Sequence, residues 1–284
     1  MKVALFIAVL SISFAATFFK LGAPTHPVVM AGLRLAIAAL CLSPFVVRGW
    51  RKKTLTRKHF GLALVAGLFY GLHFGAWVSS LTLTTVAAST TLVTTTPVLL
   101  AIVGLVRGVD KPDRVIWLSI AIALVGLLLI GSEDAHSGVD SLVGDVLAFL
   151  GACAMAGYML TARSAGEQLD VWAFGGVACA VGAVLLLSSA AVAGISLAPA
   201  NKTALMYIVL AAVIPQLVGH SLLTLALRKV KPSTVAMAVL GEPVGATAIA
   251  WLWMGETVSL LVALGCLVTL SAVALAVRTA RTPG

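Results

Sequence analysis

Apolar runs of about twenty residues alternate with short polar segments along this chain, and the alternation repeats ten times. The runs cover 3–21, 27–47, 60–80, 84–106, 115–131, 142–162, 171–193, 204–227, 232–253 and 258–277. About twenty apolar residues in a helix span the ~30 Å hydrocarbon core of a bilayer. Each run therefore predicts one transmembrane helix. An open sheet would leave backbone groups unpaired in lipid, so helices are the expected form. The mixed charges of RGVDKPDR (107–114) separate the fourth run from the fifth. The expected fold is an all-α integral membrane protein with ten transmembrane helices.

Composition agrees with the pattern. Hydrophobic residues make up 61% of the 284 and charged residues 10%, whereas a soluble domain is about a quarter charged. The net charge of +9 would suggest nucleic acid in a soluble protein. In a membrane protein the positive-inside rule explains it better. RGWRKKTLTRKH (48–59) holds six Lys/Arg and is assigned to the cytoplasm. That side then receives 16 of the 19 Lys/Arg and both termini; the exceptions are Lys20, Arg34 and Lys202. The loop GSEDAHSGVDS (131–141), on the opposite side, is acidic. Ten helices satisfy this distribution and nine do not. The opening MKVALFIAVLSISFAATFF has the parts of a signal peptide, but the charge pattern needs it retained as a helix. Cys41, Cys153, Cys179 and Cys266 are scattered in apolar runs without a CxxC pair. They read as packing residues, with neither a metal nor a disulfide framework expected.

The chain also resembles itself. Shifted by 146 residues, Leu81 falls on Leu227, Pro97 on Pro243 and Asp110 on Glu256. Both stretches run from a polar turn through a helix with a mid-helix proline to an acidic exit. Five helices per half is an odd number, so the two halves insert in opposite directions. An inverted 5+5 repeat is a transporter plan, with the binding site near the midplane between the repeats.

Ionisable side chains inside spanning helices are costly and are functional candidates by default. From the helical rise, Glu242 lies about 16 Å beyond Lys231, near mid-bilayer, and His220 about 12 Å from the cytoplasmic edge. His73 lies about 22 Å from that edge and Arg34 about 10 Å from the outer face. Under the 146 shift His73 falls one place from His220. Each has a plain structural reading as well. His73 is either a strut between helices or a cavity liner. His220 has Ser221 and Thr224 beside it as helix–helix partners. Glu242 precedes Pro243 in GEP, so it either pairs with a neighbouring helix beside the kink or carries coupling protons. Arg34 pairs with a carboxyl or carbonyl, or snorkels outward. Gly67, Gly71 and Gly75 form a close-packing face on the third helix, leaving Tyr70, His73, Phe74 and Trp77 to meet a substrate. The hydroxyls of Ser89, Thr90, Thr91, Thr94, Thr95 and Thr96 either bond their own backbone or form a polar stripe before Pro97. Gln216, after Pro215, faces the same choice. Pro97, Pro215 and Pro243 mark helix kinks.

At these residues the chain resembles the EamA family of the drug/metabolite transporter superfamily. The resemblance rests on SFAATFFKLGAPTHPVVMAGLRLAIAAL (13–40) with Arg34, His–Phe–x–x–Trp (73–77), Pro–Gln–x–x–Gly–His–Ser (215–221) and Gly–Glu–Pro (241–243). It extends over about 5–277 in two copies and implies two repeats, 1–131 and 142–277. It further implies a central cavity lined by the third, fourth, eighth and ninth helices, and movement of small metabolites, often export of amino acids or related compounds. Lys20 and Thr224 depart from the Arg and Asn expected there. Thr95–Thr96 replaces the Gly–Glu expected before the first-repeat proline, and Asp110 lies in RGVDKP rather than Gly–Glu–Arg.

The expected function is therefore secondary-active transport by alternating access in the bacterial inner membrane, with no ATP, since no phosphate-gripping glycine loop is present. His73, Trp77, Tyr70, Thr94, Thr95, Gln216 and His220 are the candidate substrate-binding residues, with Glu242 and Arg34 as coupling or structural charges. The expected partners are a small solute, the lipid bilayer and, as a candidate coupling ion, protons; nucleic acid and cofactors are not expected. The alternative is an intramembrane enzyme using His73, His220 and Glu242, against which stands the lack of HExxH and GxSxG.

Overall fold

The computed structural model describes residues 2–84, 86–108, 111–131, 139–168, 170–255 and 257–279. Asp110, Glu256 and most of the acidic loop 131–141 lie outside them. The described chain is helical, with no strand among the described residues. The first three helices are α1 (Lys2–Leu21), α2 (Pro27–Arg51) and α3 (Arg57–Ser80). The fourth run is split into α4 (Val86–Val93) and α5 (Thr96–Arg107), and α6 (Arg114–Gly131) completes the first half. The second half opens with α7 (Val139–Ser164) and α8 (Val171–Val192). Its eighth run is α9 (Lys202–Ala211), a π-helical segment (Ala212–His220) and α10 (Ser221–Leu227). The ninth is α11 (Pro232–Val239) plus α12 (Gly241–Met254), and the tenth is α13 (Leu260–Thr279). Among the described residues eight stretches are long and apolar enough to cross a membrane; 96–107 and 114–130 are shorter apolar helices.

Prolines set the breaks. A proline ring clashes with the carbonyl four residues back. The α-helical stretches α4, α9 and α11 end at Val93, Ala211 and Val239, which are the fourth residues before Pro97, Pro215 and Pro243. The two breaks before Pro97 and Pro243 are related by the 146 shift. The break at Pro215 takes a different form, a wider π-helical turn. Pro44 lies inside α2 without breaking it, and the hydroxyl of Ser43 donates to the Leu40 carbonyl at 2.8 Å. That is the carbonyl the proline leaves free. α2 also extends to Arg51, past the predicted end at 47, because its basic last turn suits the negative end of the helix dipole.

The packing pairs exchange between the two halves. α2 packs on α8, α6 on α13, and α5 on α11, each pairing one half with its counterpart. α3 lies against α7, while α1 lies against α9, the π segment and α10. Glycines permit the closest approaches. A Cβ on Gly71 would meet Gly182 Cα at 3.1 Å and one on Gly67 would meet the Ala178 carbonyl at 2.8 Å, so the predicted glycine face is the α3–α8 contact. At the α6–α13 contact a Cβ on Gly126 would meet the Gly265 carbonyl at 2.8 Å and Thr269 N at 2.7 Å. These are backbone atoms that cannot swing aside. Gly126→Ala should destabilise the protein by about 1–3 kcal/mol, the usual cost of overpacking; a lowered thermal midpoint in detergent checks it.

Large apolar side chains such as Phe6, Leu40, Leu72, Leu128, Val184 and Leu252 point outward, a surface that suits lipid and not water. Hydrogen bonds gather the polar linkers at the two ends. At one end Thr54 donates to Asp170, Arg163 to the carbonyls of Leu227 and Arg228, and Lys231 to the carbonyl of Lys111. At the other, Ala200 N donates to Thr25 and Thr84 donates to Asp145.

Candidate functional site

A cavity of about 40 Å³ lies where the proline breaks meet. Arg34, His73, Trp77, Thr94, Pro97, His220 and Glu242 are on its wall, with Phe74, Met155 and Met159. Beyond it, at the end bearing Lys20, Pro27, Thr82 and Met254, opens a vestibule of about 570 Å³. Phe19 and Pro243 line the vestibule. The Phe19 ring packs edge-on against Trp77 at 5.8 Å, so aromatic rings separate the small cavity from the large one.

Arg34 is fully buried. Its Nε and Nη2 donate to Gln216 Oε1 at 3.2 and 2.8 Å. The guanidinium lies 4.4 Å over the Phe74 ring, a cation–π contact. Gln216 in turn donates through Nε2 to the Tyr70 hydroxyl at 2.9 Å and to Cys179 Sγ at 3.4 Å. Tyr70 stacks on Tyr158 at 4.4 Å, and the Tyr158 hydroxyl is 2.7 Å from that of Thr224. One polar chain thus ties α2, α3, α7, α8 and α10 to the π segment. Of the expected alternatives, Arg34 takes a carbonyl as its hydrogen-bond partner among the described residues, the amide oxygen of Gln216.

His73 Nδ1 is 3.0 Å from the Gly151 carbonyl. A carbonyl only accepts, so Nδ1 carries the proton and, in the neutral ring, Nε2 is an acceptor. His73 therefore bridges α3 to α7 and also stands on the cavity wall. His220 sits edge-on to Tyr70 and Phe74 at 5.5 and 5.6 Å. Its carbonyl, and not its ring, accepts from Thr224. Among the described residues the Glu242 carboxyl has no hydrogen-bond partner, and only its backbone carbonyl accepts, from Ser13 at 3.4 Å. The acid stands on the cavity wall, where it interacts electrostatically with Arg34 of α2.

Three candidates stand off the cavity wall. Tyr70 and Gln216 lie behind it, buried in the Arg34 network. Thr95 donates to its own helix at the Leu92 carbonyl. Met155, Met159 and Tyr158 were not singled out from sequence. Their signal is helical spacing from Gly151 along α7, at intervals of three and four. Among the described residues no three His, Cys, Asp or Glu come together as a metal-binding group.

Two similar halves of apolar helices around a buried polar cavity define an integral membrane protein. The model of the EamA-like transporter family matches residues 2–132 and again 142–278. The chain belongs to that family. No protein of curated function matches it. A solved crystal structure is similar in fold, with TM-score 0.81 over 98% of this chain and 96% of that one, at 14% identity.

Proposed function

We propose that the protein is a secondary-active carrier that exports small metabolites, amino acids or related compounds, by alternating access through the central cavity. The supporting observation is the pairing of a charged, narrow cavity with a large vestibule at one end, while hydrogen bonds from Arg163 and Lys231 bridge the chain at the other. In this reading there are ten transmembrane helices in an inverted 5+5 arrangement, with repeats 1–131 and 142–277. The exchange-symmetric packing and the matched breaks at Pro97 and Pro243 support it. The basic linkers put both termini in the cytoplasm of a bacterial inner membrane. The vestibule then faces outward. His73, Trp77, Thr94 and His220 touch the solute, while Tyr70 and Gln216 hold Arg34 from behind. Thr95 comes into play only when the α4–α5 break moves. Glu242, on the wall near Arg34, is the group that carries a coupling proton. No enzymatic step is assigned to His73, His220 and Glu242.

Purified protein in liposomes loaded with candidate solutes tests the reading. Saturable passage of unchanged solute is expected. His73→Ala and Trp77→Ala should lower it at least tenfold while the protein still inserts, and Glu242→Gln should remove its dependence on a pH gradient. Wild-type flux in both alanine variants, or product formation without passage, overturns it.

A further inference from the structure

Six buried side-chain nitrogens and oxygens among the described residues have no hydrogen-bond partner: Arg34 Nη1, Trp77 Nε1, Ser119 Oγ, Arg228 Nε, Ser233 Oγ and Thr269 Oγ1. Of these residues only Arg34 and Trp77 line the central cavity. Both side chains are almost wholly buried, with 0% and 4% of their surface exposed. Leaving a buried donor unpaired is costly, and neither of these groups can accept. What these two donors lack is an acceptor within hydrogen-bond reach.

The guanidinium decides which acceptor. Gln216 takes its Nε and Nη2, and Phe74 covers one face. The remaining edge, ending in Nη1, is a planar array of N–H groups of the kind that matches a carboxylate. A volume of about 40 Å³ accommodates the oxygens of one carboxylate and little more, since one water already needs roughly 10–15 Å³ of such space. The body of a solute has to extend past Phe19 into the vestibule. We infer that the cavity is a carboxylate-binding subsite in which Arg34 Nη1 and Trp77 Nε1 donate to the acid group of the solute. Glu242 on the same wall admits an acid that carries an ammonium beside its carboxylate and repels a dianion. The inference rests on the carrier reading and specifies the solute for it; it also makes Arg34 a ligand-binding residue and not only a structural charge.

The test uses the purified full chain in detergent with matched pairs: glycine, leucine, phenylalanine, acetate and phenylacetate, each beside its carboxamide. Acids should raise the thermal midpoint and carboxamides should not, because a ligand bound only to the folded state raises apparent stability. Trp77→Phe keeps an aromatic ring, trims part of the indole and removes the N–H, for which no protein partner is present among the described residues. Its affinity for the acids should fall about tenfold, with no comparable change toward the carboxamides, whatever the loss in its ligand-free midpoint. Equal shifts from acids and carboxamides, acid binding unchanged in Trp77→Phe, or no shift from any acid each overturn the inference. Flux of the same panel in liposomes separates this failure from that of the carrier reading. Carboxamides crossing as fast as acids overturn only the carboxylate subsite, whereas no member crossing overturns the carrier.

Discussion

Gln216→Leu should destabilise the folded protein by about 3–5 kcal/mol, the range for removing one partner of a buried charge. Leucine keeps most of the volume and takes away the oxygen to which Arg34 donates twice. The Arg34 side chain has none of its surface exposed. The Tyr70 hydroxyl loses its donor in the same step. Arg34→Met in the Gln216→Leu chain should recover most of the loss, because a buried ion with its partner can be replaced by apolar groups at little cost. A double-mutant cycle on thermal unfolding in detergent reads the coupling. Near-additive single losses would mean that Gln216 does not hold the guanidinium. Restored stability should not bring transport with it, since the double variant lacks the cation on the cavity wall.

This asymmetry between folding and function parallels what the sequence made legible. The helices were readable because lipid imposes a length and an absence of charge on each span. The glycine face of α3 was readable because spacing by four puts Gly67, Gly71 and Gly75 on one side, and those glycines do meet α8. The helical rise puts Glu242 near mid-bilayer, His220 about 12 Å from the cytoplasmic edge, His73 about 22 Å from it and Arg34 about 10 Å from the outer face, and all four line one cavity. Azimuth was not readable. Tyr70 is one turn from His73, yet it turns toward Tyr158 and Gln216. Which way it turns depends on where α7 and the π segment pack, and neither is a local property of α3. The form of the break at Pro215 was hidden for a similar reason. Proline dictates that the i−4 carbonyl be freed; whether the chain answers with a gap, as before Pro97 and Pro243, or with a π turn depends on its neighbours. The partner of Arg34 escaped because a carboxamide 182 residues away carries no charge to flag it.

If the proposed alternating access holds, Arg163→Ala should favour opening of the end opposite the vestibule. Arg163 is the penultimate residue of α7, and its Nη1 donates to the carbonyls of both Leu227 and Arg228 at 3.1 Å. These are among the carbonyls that a helix end leaves without a partner. Lys20 holds the same penultimate place in α1, and it lines the open vestibule beside Leu81 at the end of α3. The two cations thus occupy matching positions in the two halves, one at the hydrogen-bonded end and one at the vestibule. Hydrogen bonds from a charged group are worth about 1.5–3 kcal/mol each when fully buried. This pair is only partly buried, so a net loss near 1.4 kcal/mol, or about tenfold in the balance of the two conformations, is the working expectation. Ser233→Cys makes a suitable reporter: the position is buried on α11 and its hydroxyl has no partner to lose. Ala250→Cys reports on the vestibule. In the Arg163→Ala background, maleimide should label position 233 about tenfold faster and position 250 more slowly, each measured against the same chain without the reporter. Faster labelling at both positions would indicate general loosening. Unchanged labelling at both would mean that Arg163 does not hold the gate. Opposite changes at the two ends are the signature of a single equilibrium between two shut faces, because a side chain some distance from the cavity can alter both only through the conformation that couples them.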